Sequence, residues 1–212
     1  MIIQCDFDGT ITLNNLSVLL RERFAPSGWQ EIESDYLRGR LTVERSNRQQ
    51  YAHVRESREI LQEFACQNAE LRPGFLEFVA RCRAAGIRFV IVSSGLDFYI
   101  EAVLSNIGAP DLELHCAQTS FGDDGIDVTY LDPEGNITED GFKKTYLTWL
   151  RSQERPVIYI GDGLSDLDAA SAADYVFAID RLHRLLSTTS VPHYAFSDFN
   201  DIWHQMCHLE DL

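Results

Sequence analysis

The stretch MIIQCDFDGT at residues 1–10 passes abruptly from an apolar run into acid and glycine. An apolar run that stops this way reads as a buried strand feeding a loop. The same event recurs downstream, where IRFVIV at 87–92 stops at Ser93-Ser94-Gly95 and PVIYI at 156–160 stops at Gly161-Asp162-Gly163. Helical stretches separate these runs. One opens at Pro73-Gly74 and closes at Gly86, a second follows Gly95 to about Asn106, and a third covers Lys143–Arg151. Leu112–Val128 holds one or two short strands around the Gly122–Gly125 turn, and Asp132–Asn136 makes a further turn that suggests a hairpin. Asp166–Ala173 reads as an alanine-rich helix, Tyr175–Ile179 as a strand and Phe199–Leu209 as a closing helix. This alternation predicts an α/β fold, a doubly wound parallel sheet with helices on both faces. It gathers Asp6/Asp8, Ser93/Ser94 and Asp162 at the carboxyl ends of strands, the edge where open sheets bind ligands.

Between the first two strand runs the pattern changes. Leu16, Leu19, Leu20 and Phe24 recur at helical spacing, breaks fall at Ala25–Gly28 and Arg38–Arg40, and no convincing strand intervenes before Gln67. Thr42 is positioned to cap a helix. The expected organisation is therefore a core of residues 1–13 and 72–212 with a helical cap, 14–71, inserted between them. A formal charge of −15, from 33 acidic against 18 basic residues, repels nucleic acid and anionic membranes, so neither is an expected partner. The five scattered cysteines contain no CxxC pair, and no segment approaches the ~20 apolar residues of a membrane span. The chain is expected to be soluble and cytoplasmic.

The polar clusters define a chemistry. Asp6 and Asp8 lie one residue apart, so on an extended chain their carboxylates share a side. Their mutual repulsion calls for a cation, and Asp162 and Asp166 add further carboxylates. Several carboxylates with glycines and no soft ligand suit Mg²⁺ better than Ca²⁺, whose usual acidic loop is absent. A carboxylate so held is a nucleophile toward phosphorus, and its neighbour can act as general acid and base. Ser93, with the amides that follow it, offers donors for a phosphate group. A lysine is still needed, and Lys143 and Lys144 are the candidates, being the only lysines among 18 basic residues.

In this order the motifs resemble the haloacid dehalogenase superfamily: DFDGT at 6–10, VSSG at 92–95, Lys143, and GDGLSDLD at 161–168. The resemblance implies that Asp6 is the nucleophile and Asp8 the general acid/base. It also implies Mg²⁺ on the Asp6 carboxylate, the Asp8 carbonyl and Asp162, with Asp166 orienting that shell, and Ser93, Ser94, Gly95 and Lys143 holding the phosphate. An acid at position 8 favours phosphatase over dehalogenase chemistry. The helical insert looks like the cap of the phosphoserine phosphatase branch. The strings FAPSGW at 24–29, LRPGFLEFV at 71–79 and SSGLDFYI at 93–100 are similar to its methionine-salvage members, which act on a methylthiopentenyl phosphate. Leu13-Asn14-Asn15 stands where phosphoserine enzymes carry an acid for the substrate amine. The expected substrate is thus a small phosphate ester, with phosphoserine or phosphocholine as alternatives. Asn14, Arg45 and Arg48 are candidate specificity residues, and Tyr51 is a further residue on the same cap helix. Competing readings are a phosphotransferase, which would yield product without free phosphate, and a non-enzymatic receiver-like or degenerate module. A receiver carries its acceptor deeper in the chain and lacks a late GDGxxD.

Overall fold

The structure is a computed structural model that describes residues 1–209 of the chain. It begins with β1 (Ile2–Cys5), followed by α1 (Leu16–Phe24), α2 (Trp29–Leu37), α3 (Val43–Tyr51) and α4 (Arg58–Asn68). Next come α5 (Phe75–Ala84), β2 (Arg88–Leu96), α6 (Asp97–Asn106), β3 (Glu113–Gly122), β4 (Gly125–Leu131) and β5 (Ile137–Thr138). The remainder is α7 (Phe142–Gln153), β6 (Val157–Gly161), a 3₁₀ turn (Leu164–Asp166), α8 (Leu167–Ala170), β7 (Tyr175–Ala178), α9 (Asp180–Leu186), β8 (Tyr194–Ala195) and α10 (Phe199–Met206).

One sheet runs β5-β4-β3-β2-β1-β6-β7-β8. Its centre is parallel, while β3, β4 and β5 pair antiparallel. Strand order moves one way from β1 through β2 to β3 and the other way from β6 to β8. Right-handed crossovers then put α5 and α6 on one face and α7 and α8 on the other. The reversal sits at β1, so a crevice opens beyond its carboxyl end, between β2 and β6. Ile2, Ile3 and Cys5 are fully buried, as a strand covered on both faces requires. Gln4 is buried as well, and its amide donates to the Lys143 carbonyl at 2.9 Å. The even-numbered side of β1 therefore faces α7.

The helices start where local chemistry allows. Asn15, Thr42 and Ser57 accept from the amides of Val18, Arg45 and Ile60, each satisfying an otherwise orphaned N-terminal donor. Helix α3 lies against β4, where Arg48 donates to the Val128 carbonyl at 3.2 Å. No helix among the described residues is long and apolar enough to cross a membrane, and all five cysteines are free thiols.

Several expectations are corrected. Strand β2 does not stop at Val92 but continues through Ser93–Gly95 to Leu96 with a register shift, so the serines are not a helix start. The helix expected over 166–173 is only four residues, Leu167–Ala170. Asp166 belongs to the preceding 3₁₀ turn because its carboxylate accepts the amides of Asp162 and Gly163 and closes that loop. Helix α10 ends at Met206 rather than Leu209. Helix α9 and strand β8 have no counterpart in the sequence reading.

Candidate active site

β1 delivers Asp6 and Asp8 to the crevice, 5% and 7% exposed. The loop turns at Gly9, whose φ of 80° favours glycine. A side chain there would also strike Asp162, with its Cγ only 2.7 Å from the added carbon. Arg72 fastens this loop from behind. It donates to the carbonyls of Thr10 at 2.8 Å, Gly9 at 2.6 Å and Ser197 at 3.2 Å.

Lys143, 3% exposed in the first turn of α7, settles which of the two lysines enters the site; Lys144 points to solvent. Its ammonium lies 2.7 Å from Asp6 Oδ1 and 2.6 Å from Asp166 Oδ1. Tyr159 donates to the same Asp166 oxygen at 2.6 Å. The Asp162 and Gly163 amides donate to Oδ2 at 3.0 and 2.7 Å. Both oxygens of Asp166 are thus occupied, so this side chain holds the lysine and the loop. Burial lowers the Lys143 pKa, but the charges of Asp166 and Asp6 outweigh it and the lysine stays protonated.

Carboxylate oxygens of Asp6, Asp162 and Asp166 come within 4.8 Å of one another. Only one of Asp162's oxygens has a donor, Thr10 at 3.0 Å. Burial raises Asp6 to about 7 against the pull of Lys143. Burial, reinforced by Asp166 and Asp6, also pushes Asp162 well up. One ammonium against these carboxylates leaves a buried negative excess, which a divalent cation bound by oxygen would neutralise. The residues fit a hard metal ion.

Asp8 is held differently. Its Oδ1 accepts the Leu16 amide at 2.7 Å and its Oδ2 accepts the Tyr99 hydroxyl. Burial nonetheless raises its pKa, which suits a proton donor. Gly95 packs beside this pair, and an added side chain would collide with the Tyr99 hydroxyl and reach Asp8 Oδ2 at 2.9 Å. Ser93, buried, takes the Gly95 amide on its own hydroxyl at 3.0 Å, so that amide is not free for an anion as the sequence suggested. The Ser94 hydroxyl is buried without a partner, and its carbonyl accepts from Asn47 at 2.8 Å and Tyr130 at 2.6 Å.

Above these groups lies a cavity of about 200 Å³. Asp6, Asp8, Ser93–Gly95, Lys143 and Asp162 line it, and Asp166 lies just behind. The insert contributes Arg21, Tyr36, Leu37, Val43, Ser46 and Asn47. The expected specificity residues are absent from it. Arg45 and Arg48 turn outward to Glu139, with their closest nitrogens at 2.9 and 2.8 Å. Asn14 bonds the Asn68 carbonyl at 2.6 Å. The sequence reading missed Arg21, Asn47, Thr10, Tyr99 and Tyr159. On α3 the inward stripe is Glu44, Asn47 and Tyr51, with Ser46 and Gln50 beside it. VERSNRQQY is polar at nearly every position, so no apolar face indicated which way this helix would turn.

Comparison with known proteins gives the same frame. The family model for haloacid dehalogenase-like hydrolases matches residues 3–171. A 2-hydroxy-3-keto-5-methylthiopentenyl-1-phosphate phosphatase of Brevibacillus brevis is 31% identical, over 95% of this chain and 93% of that one. A protein of that name from Geobacillus thermodenitrificans is 33% identical, over 99% and 97%. Among solved structures, a phospho-aspartyl intermediate analogue of phosphoserine phosphatase superposes with a TM-score of 0.71 at 16% identity, covering 96% and 97% of the two chains; at that identity the likeness concerns the fold. On the family match and the full-length relatives together, the chain belongs to the haloacid dehalogenase-like hydrolases.

Proposed function

We propose that this protein is a Mg²⁺-dependent phosphomonoesterase that hydrolyses a small phosphorylated metabolite through a phosphorylated Asp6, and that its substrate is 2-hydroxy-3-keto-5-methylthiopentenyl-1-phosphate. The observation that carries the chemistry is the placement of Asp6 against Lys143, with Asp8 two residues further along and all three lining one cavity. The substrate assignment draws on the relatives, which carry that activity in their names over nearly the whole chain.

In this reading Asp6 attacks phosphorus and the bond from phosphorus to the ester oxygen breaks. Asp8 gives its proton to the departing oxygen, so an alcohol leaves. Asp8, now a carboxylate, takes a proton from water as that water attacks the phosphoryl group on Asp6, releasing phosphate and restoring both acids. Lys143, with Ser93 and Ser94, offsets charge on the transferring group. Mg²⁺ held by the Asp6 carboxylate, the Asp8 carbonyl and Asp162 would neutralise the approach of dianion to carboxylate. Asp166 keeps Lys143 and the 162–163 loop in register. Helices α1–α4 act as the cap that roofs the site.

The test is phosphate release with and without Mg²⁺ from the methylthiopentenyl ester, phosphoserine, phosphocholine and an aryl phosphate. Chelator-sensitive hydrolysis led by the methylthiopentenyl ester is expected. Turnover indifferent to chelator would remove the metal from the mechanism, and preference for another ester would overturn the substrate.

A further inference from the structure

The roof of the cavity holds polar groups for which the phosphate chemistry above has no use. Arg21 from α1 is 4% exposed, Ser46 from α3 is 1% exposed, and both line the cavity. The Ser46 hydroxyl and Arg21 Nε have no hydrogen-bond partner among the described residues. Buried polar atoms left unpaired are unfavourable and rare, and in a cavity wall they point to a ligand that completes them. The rest of the Arg21 guanidinium is braced. Nη1 donates to Ser17 at 2.9 Å and Asn47 at 3.2 Å, and Nη2 donates to Glu33 at 3.3 Å. The Trp29 and Tyr51 rings lie 5.5 and 6.0 Å from its centre. The same Glu33 oxygen also accepts from Gln50 at 2.9 Å, so the acid beside Arg21 is already engaged. The same wall has apolar members, Val18, Leu37 and Val43, and Leu37 is 44% exposed.

We propose that Arg21 and Ser46 form a subsite for oxygen atoms on the first and second carbons beyond the phosphate-bearing carbon, with Val18, Leu37 and Val43 receiving an uncharged apolar tail. The proposal rests on the phosphatase reading and deepens it by naming how the substrate is chosen. A hydroxy-ketone carries acceptors for the Arg21 and Ser46 donors, and its polarised or anionic oxygen gains from the guanidinium charge. An amino ester without a carboxylate, such as phosphoethanolamine, would bring its ammonium against Arg21, with Glu33 already paired to that guanidinium. Selection therefore has a repulsive as well as an attractive component.

The test compares kcat/KM for the methylthiopentenyl ester with that for 4-nitrophenyl phosphate, which lacks oxygens at those carbons. Ser46→Ala removes only a hydroxyl that bonds nothing among the described residues, so its melting temperature should match that of the parent. It should lower the ratio of the two kcat/KM values about 10-fold, mainly through KM. Arg21→Gln should lower the ratio about 100-fold. Parallel losses on both esters, or an unchanged ratio in Ser46→Ala, would overturn the subsite. A parent enzyme inert toward both esters would overturn the phosphatase reading on which it stands.

Discussion

At the scale of single residues the site is built around a charge that the fold alone leaves uncompensated. With the metal removed, Asp6 titrates near 7 because burial disfavours its anion more than Lys143 favours it. The unfolded chain loses that proton near the ordinary carboxyl value of 3.8. Between these values the folded state holds the extra proton, so stability falls as pH rises through the interval. Chelated protein should therefore show a melting temperature that declines from about pH 4 to about pH 7, with Mg²⁺ restoring it at the upper end. Asp6→Asn should abolish turnover, keep the fold and make this decline shallower, the remainder belonging to the raised Asp8 and Asp162; an undiminished pH dependence in that variant would assign the effect elsewhere. The sequence disclosed Asp6, Asp8, Asp162, Asp166 and the lysine pair because each acid or cation follows or precedes a recognisable strand run. Tyr99 and Tyr159 were not legible. As aromatic residues in apolar stretches they read as core, and only the fold shows that their hydroxyls end on Asp8 and Asp166.

At the scale of elements, helices α1–α4 do more than contribute residues to the cavity wall. Glu44 of α3, 2% exposed, accepts the Phe142 amide at 3.0 Å, capping the first turn of the helix that carries Lys143. A carboxylate at a helix N-terminus satisfies an orphan donor and complements the dipole, worth about 1–2 kcal/mol. Glu44→Ala should lower stability by about that amount in urea titration and reduce kcat more than it raises KM. Glu44→Gln, which can still accept the amide, should recover much of the loss. Equal kinetics in Glu44→Ala and the parent would show that the cap does not govern the lysine. The alternation of strands and helices was readable because the β-branched runs are continuous and bounded by glycine or serine. Strand β8 and helix α9 escaped notice because two and seven residues hold too little periodicity to register. Strand β2 outran its expected end because pairing with β3 resumes at Leu96 opposite Ala117, beyond the serines.

At the scale of the whole molecule, the parallel sheet places the reactive edge at one switch point and draws its parts from distant segments. The register makes the separation plain, with Ile2 opposite Arg88 on one side and Val157 on the other. β1 has no partner close to it in sequence, so loops of many tens of residues must close before it can be held, and contacts of that kind form slowly. The antiparallel pair β3–β4, joined through Gly122 and Gly125, has no such delay. In refolding from denaturant, strand structure around 113–131 should gain amide protection before residues 2–5 do, as pulsed hydrogen exchange would read; the reverse order would contradict this. Because Asp6, the proposed nucleophile, follows directly on β1, a chain arrested before that strand docks has no reaction centre. Recovered turnover then serves as a clock for the final folding event, and a partly folded chain cannot hydrolyse esters indiscriminately before its selective roof is in place.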